Sequence, residues 1–259
     1  MTNDLSEFIH KCHRNIVSSG DNELAVAKAY LDGRQVSDET IGNSKIGYCY
    51  NDQPIPNGVK FFGKDPEEID TWGYSSTIKR RIIVPVFDEF GDAAGFATHE
   101  PSNNDGTFWW NLPKPFFKGN HLFFLNNTRK FIYDLNKVYL VEGYVDTILL
   151  YQHGIYNVAG LMGTALTQRK ISLIMRYCDN VCLCMDTDEN NSGQKARDKA
   201  IATLNEFDFC DNISVIDLPM KEDPASFLAN NSAQDLLDLE DVLTSAKIKD
   251  AKDRLRKTK

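Results

Sequence analysis

No stretch of the 259-residue sequence approaches the roughly 18 consecutive apolar residues that a membrane helix requires. The first residues also lack the basic start and the apolar run of a secretory signal peptide. Hydrophobic residues make up 42% of the chain and charged residues 25%, which excludes a wholly disordered protein. We therefore expect a cytoplasmic globular protein with no membrane partner and with one large core or two modest ones.

Cysteine is present but shows no pattern of bridges or metal ligands. The six cysteines form neither a disulfide framework nor a Cys-x-x-Cys pair, so the sequence predicts no structural zinc. Cys182 and Cys184 lie two apart in an apolar run, where a strand would place both on one face. We interpret them as buried small hydrophobic residues rather than as metal ligands.

Positive charge is in deficit, with 29 Lys and Arg against 37 Asp and Glu and a net charge of −8. This balance argues against a protein that coats nucleic acid by bulk electrostatics. It is compatible with a local basic patch that binds a template weakly beside an acidic cluster that binds metal.

No internal repeat or low-complexity tract is visible, and the sequence pattern divides the chain into three segments. Residues 1–134 mix helical patterns with a hairpin at 81–98, which indicates an α+β subdomain. Residues 135–230 alternate short apolar strands with helices, and this predicts an α/β fold whose parallel strands are covered on both faces. Residues 231–259 are increasingly charged and predict a short helical tail.

Acidic residues follow the predicted parallel strands. Glu142 ends the first strand, Asp186 and Asp188 end the third, and Asp223 lies just past the fourth. If the first and third strands are neighbours, Glu142 faces the Asp pair at the carboxyl edge of the sheet, where ligands bind. Crowded carboxylates repel unless a cation neutralises them, and oxygen ligands favour Mg²⁺ or Mn²⁺. Such a site suits phosphoryl transfer.

Each of these residues also has a simpler interpretation. A single Glu after a strand is usually solvated, and Asp223 before Pro224 fits a helix N-cap. Because the acids share matching strand ends, we favour the metal site. The segment after the second strand fits two interpretations equally well: a phosphate contact through Gly163 and Thr164, or a helix cap by Thr167.

Three motifs carry a resemblance to a known family. They are Glu142-Gly143-Tyr144-Val145-Asp146, Gly163-Thr164-Ala165-Leu166-Thr167 and Asp186-Thr187-Asp188. In this order and spacing they resemble the Toprim domain, and the first motif is similar to that of DnaG-type primases in particular. Segments 30–48, 80–96 and 118–123 resemble the polymerase core of the same family, so that the resemblance covers roughly residues 24–228.

The resemblance implies a Toprim-type parallel sheet flanked by helices and preceded by a mixed α+β subdomain. It implies a DNA primase, a nucleotidyltransferase that makes short RNA primers on single-stranded DNA and releases pyrophosphate. Glu142, Asp186 and Asp188 are expected to be catalytic and to bind Mg²⁺ or Mn²⁺, with Asp223 joining them. Arg80, Arg81 and Lys118 are expected to contact template or nucleotide phosphates. As alternatives, Lys118 is a solvated loop lysine and the arginine pair guards a sheet edge.

Two other functions remain open, a Toprim metal-dependent nuclease and a non-catalytic DNA-binding replication protein. The sequence also departs from the family: His99 and its neighbours stand where an arginine usually follows Gly95-Phe96, and Ala225 replaces an acid. The family's zinc domain and helicase-binding domain are not in this sequence. We therefore expect weak synthesis that depends on a replicative helicase or a separate zinc-domain protein, besides template and ribonucleoside triphosphates. A chain this reduced fits a phage or a mobile element, and a phage protein would act in the cytoplasm of the bacterial host.

Overall fold

The structure is a computed structural model that describes residues 2–18, 22–54, 78–102, 110–112, 117–163, 165–187, 192–207 and 212–257. The chain forms two compact units, Met1–Lys118 and Gly119–Lys259. Within the described ranges, no helix combines the length and apolarity needed to span a membrane.

The first unit combines helices with an antiparallel sheet. Its elements are α1 (Thr2–Ser18), α2 (Asn22–Gly33), α3 (Asp38–Ser44), β1 (Gly47–Cys49), β2 (Arg81–Phe87), β3 (Ala93–His99) and β4 (Trp110–Leu112). The sheet order is β1-β2-β3-β4. The predicted hairpin is confirmed, and its turn is closed by the Asp88 carboxylate, which accepts from the N–H groups of Phe90, Gly91 and Asp92. β4 was not predicted, because its residues lie in a connection rich in aromatic residues and asparagine.

Local chemistry and close packing explain how the first unit is assembled. Ser37 caps α3 by accepting a hydrogen bond from the Thr40 N–H at 3.2 Å, as its sequence predicts. Phe8 and Ile9 of α1 are buried against the sheet. A Cβ at position 47 would lie 2.4 Å from the Cys12 carbonyl carbon, so only glycine allows α1 to pack this closely on β1.

The second unit is a mostly parallel sheet flanked by helices. Its elements are α4 (Leu125–Leu135), β5 (Lys137–Val141), α5 (Tyr144–Gln152), β6 (Val158–Gly160), α6 (Gln168–Ile174), β7 (Asn180–Leu183), α7 (Ser192–Asn205), β8 (Ile213–Ile216), α8 (Pro224–Leu228), α9 (Ala233–Leu237), β9 (Glu240–Val242) and α10 (Ser245–Lys257). The order is β6-β5-β7-β8-β9, in which only β9 is antiparallel to its neighbour. The predicted α/β fold is confirmed, and its first and third strands are neighbours.

Alternate residues of β5 face two separate apolar clusters, one on each side of the sheet. Val138 and Leu140 pack with residues of α4, α6, α7 and α10. Tyr139 and Val141 pack with residues of α5, α8 and α9. Cys182 and Cys184 of the second cluster are fully buried, which confirms them as small core residues. The strand period thus gives both faces of the sheet a helical cover.

The end of the chain differs from the expected helical tail, because β9 interrupts it and joins the sheet edge. The Glu240 carboxylate of β9 accepts from the Lys137 ammonium at 2.6 Å and from the Tyr139 hydroxyl at 3.0 Å. The helix that follows, α10, buries Ile248 and Ala251 in the core. These contacts are distant in sequence, so the local charge pattern did not indicate them.

Candidate functional site

The end of β5 places two acids of the first motif on a sharp exit from the sheet. After Glu142 the chain passes through Gly143, which has extended backbone and precedes α5. The Asp146 carboxylate in the first turn reaches back and accepts from the Gly143 N–H at 3.1 Å. A Cβ at position 143 would lie 2.3 Å from Asp146 Oδ2, so glycine is required for this approach.

Asp146 is a site residue that sequence reasoning left without a role. Its buried carboxylate accepts a second hydrogen bond from the Ala225 N–H of α8 at 3.2 Å. Its position in the first turn of α5, whose N-cap is Gly143, was the one available signal, because an acid there often bonds back to the N-cap. The link to α8 joins positions 79 residues apart and could not be seen in the sequence.

Three carboxylates interact electrostatically at this edge of the sheet. Burial, together with the negative charges of Asp186 and Asp223, raises the pKa of Asp146 to about 7. The hydrogen bonds from Gly143 and Ala225 oppose the rise. The structure therefore brings together three acids that follow β5, β7 and β8, whereas the predicted convergence of Glu142 with Asp186 and Asp188 stays a prediction.

The segment that carries Asp186 is held by its neighbours on both sides. The Cys184 N–H bonds to the Leu140 carbonyl at 2.9 Å and so extends the pairing of β7 with β5. Thr187 donates its N–H to the Glu222 carbonyl at 2.9 Å, and its hydroxyl accepts from the Glu222 N–H at 3.1 Å. The segments after β7 and β8 are thus joined next to Asp186. One carboxylate oxygen of Asp186 is buried from solvent, as is one of Glu142.

Asp223 has the local role that its sequence context predicts. It is the N-cap of α8, with Pro224 at the first helical position, and its carboxylate accepts from the Ser226 N–H at 2.6 Å. The same residue raises the pKa of Asp146, so it also lies beside the acidic cluster. The cap interpretation is confirmed, and a contribution to metal binding remains a prediction.

The donor chemistry of this cluster fits Mg²⁺ or Mn²⁺, since carboxylate oxygens carry mutually repelling charge that a hard cation relieves. In the part of the chain that the structure describes, no group of three or more His, Cys, Asp or Glu side chains is arranged to hold a metal ion. Asp188 lies outside the described residues. The ligand set of Glu142, Asp186, Asp188 and Asp223 therefore stays a prediction.

The loop after β6 contacts the backbone of Glu142. The Gly163 N–H donates to the Glu142 carbonyl at 3.0 Å, so this amide is already engaged. Thr167 caps the seven-residue helix α6 by accepting from the Lys170 N–H at 3.2 Å, which confirms the cap interpretation. Thr164 lies outside the described residues, and phosphate contacts by Gly163 and Thr164 stay predictions.

The predicted basic residues belong to the first unit. The Arg80 side chain is 64% exposed, with Nε 3.9 Å from a Glu23 carboxylate oxygen. Arg81 is largely buried and forms an ion pair with Glu100 at 3.3 Å. Because its strand β2 lies between β1 and β3, the interpretation of Arg81 as an edge guard is wrong. Lys118 is exposed in a short 3₁₀ turn, Lys118–Asn120.

The position without the family's arginine is occupied by a buried histidine. The His99 ring stacks on Tyr30 with ring centroids 4.4 Å apart. Burial, together with the positive charges of Arg34 and Arg81, lowers the pKa of His99 to about 4. His99 is therefore neutral at pH 7. Arg34, which the sequence reasoning did not single out, contributes positive charge at this position.

The comparisons with known proteins point to one family. Residues 139–228 match the Toprim-like family. A DNA primase of Clostridium acetobutylicum is 31% identical over 219 residues, which are 80% of this chain and 36% of that protein. The chain thus spans about a third of the length of the curated relatives that it matches.

Solved structures share the fold. The zinc-binding and RNA polymerase domains of Aquifex aeolicus primase superpose with a TM-score of 0.73 at 21% identity, over 99% of this chain and 64% of that one. A DnaG primase catalytic domain bound to single-stranded DNA superposes with a TM-score of 0.72 at 23% identity. The match covers 92% of this chain and 79% of that one. The Toprim-like match and the 31% identity to a DNA primase show that the chain belongs to the DNA primase family, and the solved structures show that it shares the fold of the DnaG catalytic core.

Proposed function

We propose that the chain is a primase catalytic core, which joins ribonucleotides into short RNA primers on single-stranded DNA and releases pyrophosphate. The observation that carries this proposal is the convergence of Asp146, Asp186 and Asp223 at the carboxyl edge of a parallel sheet. The same chain is 31% identical to a DNA primase over 80% of its length.

In this proposal Glu142, Asp186 and Asp188 hold Mg²⁺ or Mn²⁺, and Asp223 joins them. A bound cation would help to deprotonate the attacking hydroxyl and would stabilise the pyrophosphate that leaves. Asp146 orients the site, since its two hydrogen bonds tie the exit of β5 to α8.

The proposed partners are a single-stranded DNA template and ribonucleoside triphosphates. Arg80, Arg81 and Lys118 would contact their phosphates. The side chains of Arg80 and Lys118 are exposed and so accessible to a ligand. A replicative helicase or a separate zinc-domain protein would raise the local concentration of template for a chain with a net charge of −8. The place of action would be the cytoplasm, of the bacterial host if a phage encodes the protein.

Incubation with ribonucleoside triphosphates, Mg²⁺ or Mn²⁺ and single-stranded DNA tests the proposal directly. Short RNA products support a primase, whereas cut DNA indicates a Toprim nuclease. DNA that is bound but unchanged indicates a non-catalytic replication protein.

We expect that Glu142→Gln and Asp186→Asn each abolish synthesis while the melting temperature is kept, because they remove a ligand charge but leave the side-chain shape. Asp134→Asn is the matched control, since Asp134 is half exposed and pairs with Lys130 on the surface of α4. Near-normal synthesis by either site variant would disprove the proposed metal ligands.

A further inference from the structure

Lys170 is a charged side chain in the core of the second unit. Only 1% of its surface is exposed, although lysine is almost never fully buried. Its ammonium donates to the Leu161 carbonyl at 2.5 Å and to the Ala165 carbonyl at 3.0 Å. These two acceptors belong to the segment between β6 and α6, which we call the 161–166 loop and of which residues 161–163 and 165–166 are described. Lys170 therefore ties this loop together from within the core.

The 161–166 loop has an unusual backbone. Met162 has a φ of 57° and Gly163 a φ of 126°, both in the region that residues with a Cβ avoid. Surrounding contacts must hold such a conformation in place. The bonds from Lys170 to Leu161 and Ala165 lie on either side of these two residues.

The same loop contacts the strand end that carries Glu142. The Leu161 N–H donates to the Val141 carbonyl at 2.8 Å, and the Gly163 N–H donates to the Glu142 carbonyl at 3.0 Å. The backbone of Glu142 is thus held by a loop whose own shape is held by Lys170.

We propose that Lys170 is a positioning residue, which fixes the 161–166 loop and through it presents the Glu142 carboxylate to a divalent cation. The inference rests on the proposed function only in taking Glu142 as a metal ligand. Residues that orient metal ligands without touching the metal typically change metal affinity by about 10- to 100-fold when they are replaced.

Removing the charge and losing the positioning have opposite effects on cation binding. Lys170→Met keeps the unbranched side chain as far as Cε and removes one positive charge from the core. Charge alone would strengthen the binding of Mn²⁺, because a repelling cation is gone. Loss of positioning would weaken the binding. If Lys170 is purely structural, its replacement changes the melting temperature but not the Mn²⁺ affinity of the folded protein.

The test measures Mn²⁺ binding by the full chain, with no nucleotide or template, from the electron paramagnetic resonance signal of free Mn²⁺. We expect the dissociation constant to rise about tenfold in Lys170→Met. The control Lys199→Met makes the same charge change at an exposed position of α7 and is expected to stay within about twofold of wild type, because surface charges interact weakly.

Unchanged or tighter Mn²⁺ binding by folded Lys170→Met overturns the inference, as does a wild-type chain that binds no Mn²⁺. If Lys170→Met does not fold, the Mn²⁺ affinity of Gly163→Ala tests the inference instead. A Cβ at a φ of 126° disturbs the loop and leaves Lys170 in place. Unchanged Mn²⁺ affinity in that variant also overturns it. A wild-type chain that binds Mn²⁺ but makes no primer refutes the proposed function and leaves the role of Lys170 standing.

Discussion

Asp223 caps α8 and is proposed to bind metal, and two substitutions separate these two roles. Asp223→Ser keeps an N-cap acceptor for the Ser226 N–H and removes the charge, whereas Asp223→Ala removes both. We expect Asp223→Ala to lower the free energy of unfolding by about 1 kcal/mol and Asp223→Ser by a few tenths at most. If the carboxylate joins the metal site, both variants lose primer synthesis. Full synthesis by Asp223→Ser, together with urea unfolding curves that show the expected stabilities, would leave Asp223 as a cap alone.

Asp146 should make the stability of the folded chain depend on pH. Its pKa is about 7 in the folded state against an ordinary value of 3.8, so the folded state holds a proton that the unfolded state has already released. The stabilisation of the folded state by this proton is complete below about pH 4 and is lost as the pH rises to about 7. The free energy of unfolding falls by at most about 1.4 kcal/mol per pH unit in this range.

The check is the free energy of unfolding in urea at pH 5 and at pH 8 for wild type and Asp146→Asn. We expect the asparagine variant to show a smaller loss between the two pH values, since it cannot ionise. Equal losses in the two proteins would mean that the Asp146 pKa is not raised in the folded state.

At the scale of elements, α10 is clamped onto α7, the helix that follows the Asp186 segment. The Arg254 guanidinium donates to both oxygens of the Asp198 carboxylate, at 2.8 and 2.7 Å, and the Asp198 side chain is only 4% exposed. At the start of α7, a Cβ on Gly193 would overlap the Asp186 carbonyl oxygen. By binding to α7, helix α10 therefore stabilises the helix that packs directly on the Asp186 backbone.

Arg254→Met should lower the free energy of unfolding by about 2 kcal/mol, because it leaves the buried Asp198 carboxylate without its charged donor. Arg256→Met on the same helix is the control. Its side chain is 80% exposed in a surface pair with Asp253, which contributes about 0.5 kcal/mol or less. Chemical denaturation compares the two variants, and similar small losses in both would show that the clamp does not stabilise the unit.

At the scale of the whole molecule, a chain with a net charge of −8 has few cations with which to bind the proposed template. If Lys118 contacts a phosphate, Lys118→Ala should weaken binding to single-stranded DNA and reduce the slope of log affinity against log salt by roughly 0.7. Lys130→Ala is the control, since Lys130 is exposed and paired with Asp134. Fluorescence anisotropy between low and moderate salt measures both slopes. A slope that Lys118→Ala leaves unchanged would identify Lys118 as a solvated lysine.

Several features of this protein follow from its sequence alone, because they depend on local patterns. The alternation of apolar strands and helices predicts the parallel sheet, since each strand needs apolar residues on both faces. The caps by Ser37 and Thr167 follow from residues three positions apart. The placement of Glu142 and Asp186 at strand ends also follows, because parallel strands end at one edge.

Other features were decided by the tertiary structure, because they depend on partners distant in the chain. Asp146 becomes part of the acidic cluster through the Ala225 N–H and through burial beside two other carboxylates. Strand β9 pairs with β8, and its Glu240 accepts a hydrogen bond from Lys137, 103 residues away. Lys170 is a buried charged residue whose ammonium is satisfied by the carbonyl oxygens of Leu161 and Ala165. Local pattern sets which elements form, whereas burial and long-range hydrogen bonds set the charge and the role of each polar side chain.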